Sequence, residues 1–555
     1  MLRAGFGKAD ITVFEPGVVL LGWAEPDNVS NGAGDDLACR AVALQDDDHV
    51  LVYACAELAF ITTSLRDRVM DLLELAGATL ASSALMLTAT HNHSGPSGYS
   101  HRLMYNLLEQ GFRPRVLDGL AEGIAASVMQ ALAALEPAVV EVSAGPVEDG
   151  VAFNRSWRAY NRNCDVVPVT AEATHQGVDH TMTLLRVRAA DGRPLGAVSW
   201  FALHGTVVHA DQQLVRHDHK GAASRQWEAA PPEGAAGFVA IFAQGPAGDV
   251  TANHTWSPER GRAVRHGDDL QGRSEVAAAQ VRTAQRLWSD EAHHCIEGGL
   301  SASMRYVDME RRQVDSRFTS GSEARTTEAV IGLSMALGTD EGPGPYHRRS
   351  WVTDGLRRLM LLRARSPGSG RPRATFLQVG RGARGRMLGM IPVTALIPFG
   401  FIDPSVEFAK DAFERGLGDA PWVATILPAQ VFRLGPLAIA GMPCEPTTVA
   451  GRRVAATVAE AFGVEHVVVN GYANDYAGYC TTAEEFDEQL YEGGCTWFGR
   501  WTCAAWRTEF VRLATEPPSA DPGRPGRPLP HQVDALRHRP RALRSGLGLF
   551  SKRST

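Results

Sequence analysis

The 555-residue chain contains no run of about eighteen apolar residues, so a membrane-spanning helix is not expected. Its first residues, MLRAGFGKADIT, lack the apolar core and small-residue cleavage site of a secretory signal. None of the eight cysteines forms a C-x-x-C pair, and several, such as Cys55 in HVLVYACAELAF, sit inside apolar runs. Reduced, buried thiols and a cytoplasmic location are the resulting expectation. A surplus of positive charge is also missing: the formal net charge is −7, which leaves the body of the protein no footprint for nucleic acid. The sequence has no H-E-x-x-H, no G-x-x-x-x-G-K-[ST], no G-x-S-x-G elbow and no internal repeat. One G-x-G-x-x-G is present, from Gly380 to Gly385, but prolines at 392 and 398 replace the helix a dinucleotide site needs. It reads as a mobile turn.

What is present is an ordinary globular composition, 44% apolar and 21% charged, arranged as alternating strands and amphipathic helices. Apolar runs at 49–56, 84–89 and 238–245 predict buried strands, and residues 64–75, 118–135 and 274–289 carry helical spacing. MTLLRVRAADGRPLGAVSWFALHG predicts two strands joined through Asp191-Gly192. Residues 310–420 are irregular and rich in Arg and Gly. Order returns with VFRLGPLAIAG, TTVAGRRVAATVAEAFG and VEHVVVNG, which predict strands, a helix and a strand. From Glu516 onward eight Arg or Lys stand against three acids among many prolines. That composition predicts a solvated, disordered tail whose charge allows at most weak contact with an anionic membrane surface.

Four places carry candidate chemistry. His91-Asn92-His93 follows an apolar strand and precedes Ser-Gly-Pro-Ser-Gly; in extended backbone, side chains at i and i+2 share a face, so both imidazoles can meet one point. His204 closes a buried strand, and His209, His217, Asp218 and His219 follow on what reads as a loop, partly solvent-facing. Glu445 lies between a buried strand and a helix, where its alternative role is to serve the helix dipole. Tyr472, Tyr476, Tyr479 and Tyr491 cluster in a chain with only ten tyrosines. Two imidazoles and a carboxylate with an open position form a known catalytic zinc set; a phenolate is a rarer ligand that the metal must help to ionise.

The motifs G-K-A-D-I-T (7–12), A-T-H-N-H-S-G-P-S-G (89–98), F-N-R-S-W-R-A-Y (153–160), W-F-A-L-H-G-T (200–206), F-A-Q-G-P-A-G-D-V (242–250), P-x-E-P-T-T-x-A-G-R-R (443–453) and Y-A-G-Y-C-T-T-A-E-E-F…Q-L-Y-E-G-G (476–494) occur in one order. Together they make the chain resemble the neutral ceramidases over about residues 5–510, with a diverged stretch near 310–410. The resemblance implies hydrolysis of the N-acyl bond of ceramide to sphingoid base and fatty acid, using one zinc. Carried across motif by motif, it puts the zinc ligands at His91, His204, Glu445 and Tyr479, and pocket residues at His93, Arg155 and Tyr491. It implies His93 as the proton shuttle and Arg155 or Tyr491 as a stabiliser of the tetrahedral oxyanion, often worth about 3 kcal/mol.

Two departures stand out. Gly245-Pro246-Ala247-Gly248-Asp249 replaces the family's S-N-x-G-D, removing a serine that has been proposed as important. The family's C-terminal β-rich domain is not seen. The expected fold is α/β: a large catalytic domain of mixed sheets with flanking helices over residues 1–515, then the tail 516–555, with no C-terminal β-sandwich-like domain. The alternatives are a zinc hydrolase of another N-acyl lipid or N-acyl amine, and a non-catalytic lipid-binding relative.

Overall fold

The computed structural model describes residues 2–23, 28–107, 111–148, 150–252, 255–257, 262–264, 268–339, 375–381, 386–387, 391–392, 404–516 and 525–539. A nine-stranded sheet runs in the order Val239–Gln244, Pro194–Phe201, Thr181–Ala189, Glu136–Pro146, Arg3–Asp10, Ala38–Gln45, Val50–Ala56, Leu85–Ala89, with His294–Ile296 also paired to Glu136–Pro146. Only the outermost pairs, Val50–Ala56 with Leu85–Ala89 and Pro194–Phe201 with Val239–Gln244, are parallel. The hairpin expected at Asp191-Gly192 is present, with Gly192 at φ +91°. A four-stranded sheet of Leu300–Asp308, Ile426–Leu434, Leu437–Gly441 and His466–Asn470 faces the first.

Side-chain alternation explains the layering. On Leu437–Gly441, Leu437 and Ile439 join Val42, Val142, Val198 and Ile241 in the core between the sheets. Ala438 and Ala440 point the other way, into a core shared with Val454 and Val458 of the helix Thr448–Phe462. Two further helices, Thr63–Leu75 and Pro114–Ala133, cover one half of the outer face of the large sheet; His219–Ala229 and Asp269–Ser289 cover the other. The architecture is α/β, in four layers: helices, large sheet, small sheet, helices.

Pro114–Ala133 is long and apolar enough to cross a membrane, yet here it lies on the strands Arg3–Asp10 and Ala38–Gln45. The glycines of GFGKADIT make that approach possible: a Cβ on Gly5 would fall 2.3 Å from Ala131 O, and one on Gly7 2.0 Å from Ser127 O.

Part of the segment 516–555, expected to be a disordered tail, is folded. Residues 525–539 dock on the body. A short helix, Pro530–Leu536, buries Ala535 and Leu536, and Phe112 exchanges backbone hydrogen bonds with Leu536 and His538, both 2.7 Å. Low overall hydrophobicity concealed two apolar residues that find a ready groove. The Gly382–Gly385 part of the glycine-rich turn lies outside the described residues, as does much of the diverged middle.

Candidate metal centre

Each motif residue stands just beyond the carboxyl end of a strand. His91 follows Leu85–Ala89, His204 follows Pro194–Phe201, Glu445 follows Leu437–Gly441, and Tyr479 comes after His466–Asn470. The two edges of the large sheet meet there: Gln244 Nε2 donates to Thr90 O (3.0 Å), and open α/β sheets bind ligands at such carboxyl ends.

His91 and His93 converge, but not because their backbone is extended. The strand stops at Ala89, and His91 takes the left-handed conformation at φ +61°, rare for a residue with a Cβ. Its surroundings fix it. Asn92 Nδ2 donates to Arg216 O (2.7 Å) and Glu57 O (3.2 Å), while Asn92 Oδ1 accepts from Ser94 N (3.0 Å). Gly205 leaves room for the kink, since a Cβ there would lie 2.2 Å from His91 O. Gly22, at φ +124°, cradles the second imidazole: a Cβ would lie 2.4 Å from His93 Cγ, and Trp23 packs edge-on against that ring. Gly22→Ala is therefore expected to displace His93 and lower kcat by roughly tenfold or more, consistent with the sensitivity of catalysis to small misplacements, and to cost roughly 1 kcal/mol or more of stability because alanine is strained at this φ. Wild-type kcat in a correctly folded variant would contradict this.

The ring nitrogens reveal what the site needs. His91 Nδ1 donates to Ala59 O (2.8 Å) and His204 Nδ1 to Ala247 O (2.6 Å); a carbonyl only accepts, so each Nδ1 carries a proton and each Nε2 is turned to the focus. Those Nε2 atoms are 3.0 Å apart, His93 Nε2 is also 3.0 Å from His91 Nε2, and Glu445 Oε2 is 3.3 Å from both His91 and His204. One proton on His91 can serve only one of these neighbours at a time, whereas a metal cation serves all of them. Burial, then His91 and Arg155, push His93 well below the usual histidine range, and burial followed by Arg155 does the same to His204. Burial alone would raise the Glu445 carboxyl; His91, a hydrogen bond from Tyr476, and Arg155 outweigh it and hold the carboxyl below its ordinary value. Three imidazole nitrogens converging with a carboxylate held below its ordinary range are the donor chemistry of a divalent transition metal.

The four tyrosines divide by role. Tyr472 and Tyr476 donate to the two oxygens of Glu445, so each needs its proton. Tyr479 instead accepts from Arg155 Nη2 (2.9 Å), and Glu445–Pro446 pairs with Tyr479–Cys480 so that Glu445 stands beside Tyr479. Burial raises all of these phenols, Tyr491 included, well above 10. Arg155 is itself held by Glu492 Oε1 (3.0 Å) and Gly248 O (2.9 Å) and lies over the Tyr491 ring. The seven residues that the resemblance placed at the metal and in the pocket all line one cavity. Sequence reasoning missed Gly22, Trp23 and Glu492; only Glu492, inside Y-E-G-G, lay within a motif.

The stretch 217–219 corrects the expectation of a partly solvent-facing loop. His217, Asp218 and His219 are buried. Asp218 caps the helix His219–Ala229, and His219 Nε2 donates to His204 O (2.8 Å), bracing the ligand-bearing loop from behind. Lys220 Nζ ties two strand ends by donating to Phe201 O (2.8 Å) and Ala243 O (2.9 Å).

The sequence profile of the neutral/alkaline non-lysosomal ceramidases, N-terminal region, matches residues 2–357 and 413–508. The chain belongs to this family. It is 33% identical over 519 residues to a neutral ceramidase of Pseudomonas aeruginosa, covering 92% of this chain and 71% of that one. It is 32% identical over 563 residues to a neutral ceramidase of Mycobacterium tuberculosis, covering 98% and 80%. Among solved structures, a neutral ceramidase from Pseudomonas aeruginosa superposes with a TM-score of 0.73 at 29% identity, and a ceramidase complexed with C2 with 0.76 at 30%; each comparison covers 92% of this chain and 74% of the other.

Behind the centre lies a second layer of acids. Burial pushes Asp249 up to about 6, and burial with the charge of Asp249 pushes Glu485 up to about 7. Folding therefore binds these protons more tightly than the unfolded chain does. The stabilisation is complete below the ordinary carboxylate range of about 4 and is lost as pH rises towards 7. Glu485→Gln keeps the acceptor for Thr447 but cannot titrate, so its melting temperature should gain on that of the wild type between pH 4.5 and 7.5. Parallel curves would refute the assignment.

Proposed function

We propose that this ceramidase-family chain hydrolyses the N-acyl amide bond of ceramide, releasing sphingoid base and fatty acid, with one zinc ion held by His91, His204, Glu445 and Tyr479. The observation that carries the reading is the convergence of three imidazole Nε2 atoms and the Glu445 carboxylate at one focus. The relatives' names, and the related structure complexed with C2, support the substrate.

When bound, zinc supplies Lewis acidity, polarising a carbonyl and acidifying water. The chain's own groups do the rest. Leu21, Phe60, Met104 and Trp497 give the cavity apolar walls above the polar focus, suited to a lipid with its amide directed inward. His93, kept neutral by burial, accepts a proton at Nε2 and returns it to the departing amine. Arg155, fixed by Glu492, holds Tyr479 as an acceptor and places positive charge beside the site of the developing oxyanion. Tyr491, with its hydroxyl kept protonated, donates there.

His93→Ala is expected to retain one zinc per chain and to slow turnover by roughly 10² or more. Metal analysis of the purified variant checks this, and loss of zinc would place His93 among the ligands. A panel of N-acyl substrates tests the rest: zinc-dependent cleavage of another N-acyl amine, but not of ceramide, would keep the chemistry and replace the substrate.

A further inference from the structure

We propose that His294, Glu465 and His466 form a second zinc site, on the surface, joining the edges of the two sheets. His294 begins the short strand His294–Ile296, paired with Glu136–Pro146 of the large sheet, with His294 opposite Val142. His466 begins the edge strand His466–Asn470 of the small sheet, with His466 opposite Leu437. The two strands meet because Ile296 and Leu437 share the core between the sheets. One ring nitrogen from each histidine and one oxygen of Glu465 lie within 4.8 Å of one another. Ligands at about 2.1 Å from a tetrahedral zinc stand about 3.4 Å apart, so modest side-chain rotation closes the set.

Two observations favour a cation. His466 Nε2 is buried yet has no hydrogen-bond partner among the described residues, and its ring packs edge-on to His294 at 4.7 Å without bonding to it. Imidazoles select zinc and its neighbours over magnesium or calcium, and two imidazoles, one carboxylate and a solvent position complete a tetrahedron. Strand alternation sends Cys295 to the opposite face, which leaves it out. The site is separate from the first. His466 opens the strand whose far end leads to Tyr472 and Tyr479, and five residues of strand span about 16 Å.

The ion would clamp two sheets otherwise joined at this edge by apolar packing. The test is equilibrium dialysis of the full-length protein against zinc chloride with metal analysis, comparing wild type with a His294→Ala/His466→Ala double variant. The wild type should bind one equivalent more than the variant. Each single variant should bind that equivalent at least tenfold more weakly, and the rise of Tm with excess zinc should shrink in all three. Counting by difference makes the result independent of the first centre. Equal stoichiometry in wild type and double variant would overturn the proposal, as would a Tm rise that the double variant keeps in full.

Discussion

His204→Ala is expected to lose the metal and to lower amide hydrolysis by about 10³ or more, the scale of losing a principal source of transition-state charge stabilisation. The residue contributes in two directions at once. Its Nε2 faces His91 and Glu445, while its Nδ1 donates to Ala247 O. Removing the ring leaves His91, His93 and Glu445 with a donor missing on one side, and an incomplete set surrenders a metal that a complete one retains. The fold should survive. The orphaned Ala247 carbonyl costs about 1–3 kcal/mol, small beside the cores on both sides of the large sheet, and His219 still holds the His204 backbone through its carbonyl. Circular dichroism and Tm separate this outcome from unfolding. A folded His204→Ala protein that keeps full zinc and full turnover would defeat the assignment.

The sequence made the strand ends legible because each is an apolar run broken by a histidine, a carboxylate or a glycine, and both signals are local. It could not show how His91 and His93 come to face one point. The left-handed turn at His91 depends on Asn92 reaching Arg216, on Gly205 standing clear and on Gly22 admitting the ring, contacts up to 124 residues apart in the chain. The division of the tyrosines was hidden for the same reason: Tyr472 and Tyr476 differ from Tyr479 only in what lies across from each hydroxyl. Buried His219 read as part of a polar loop because its partners, Gln280 and the His204 carbonyl, lie 61 and 15 residues away in the chain. The docked helix Pro530–Leu536 failed on composition, since two buried residues do not alter the average of a basic, proline-rich segment.

Hydrolysis should proceed with no serine nucleophile. Among the described residues lining the cavity there is none. Gly245, where the resemblance implied a serine in relatives, turns against the backbone: a Cβ there would meet Ala202 N at 3.0 Å, and Gly245 does not line the cavity. Ser156, next to Arg155 in its motif, is buried with its hydroxyl donated to Glu492. Cys495 does line the cavity, but burial, with Glu492 and Glu445 adding, raises its thiol well above the ordinary range, so it offers no thiolate. Fluorophosphonates should therefore leave activity unchanged, while removal of the metal by a chelator should abolish it and readdition of zinc restore it. Single turnovers in ¹⁸O-water should place label directly in the released acid, with no acyl adduct in intact-protein mass spectra. An acyl group trapped on any serine, or full turnover by metal-free protein, would overturn this reading. Failure to cleave ceramide would not, provided another N-acyl compound were hydrolysed with the same dependence on the metal.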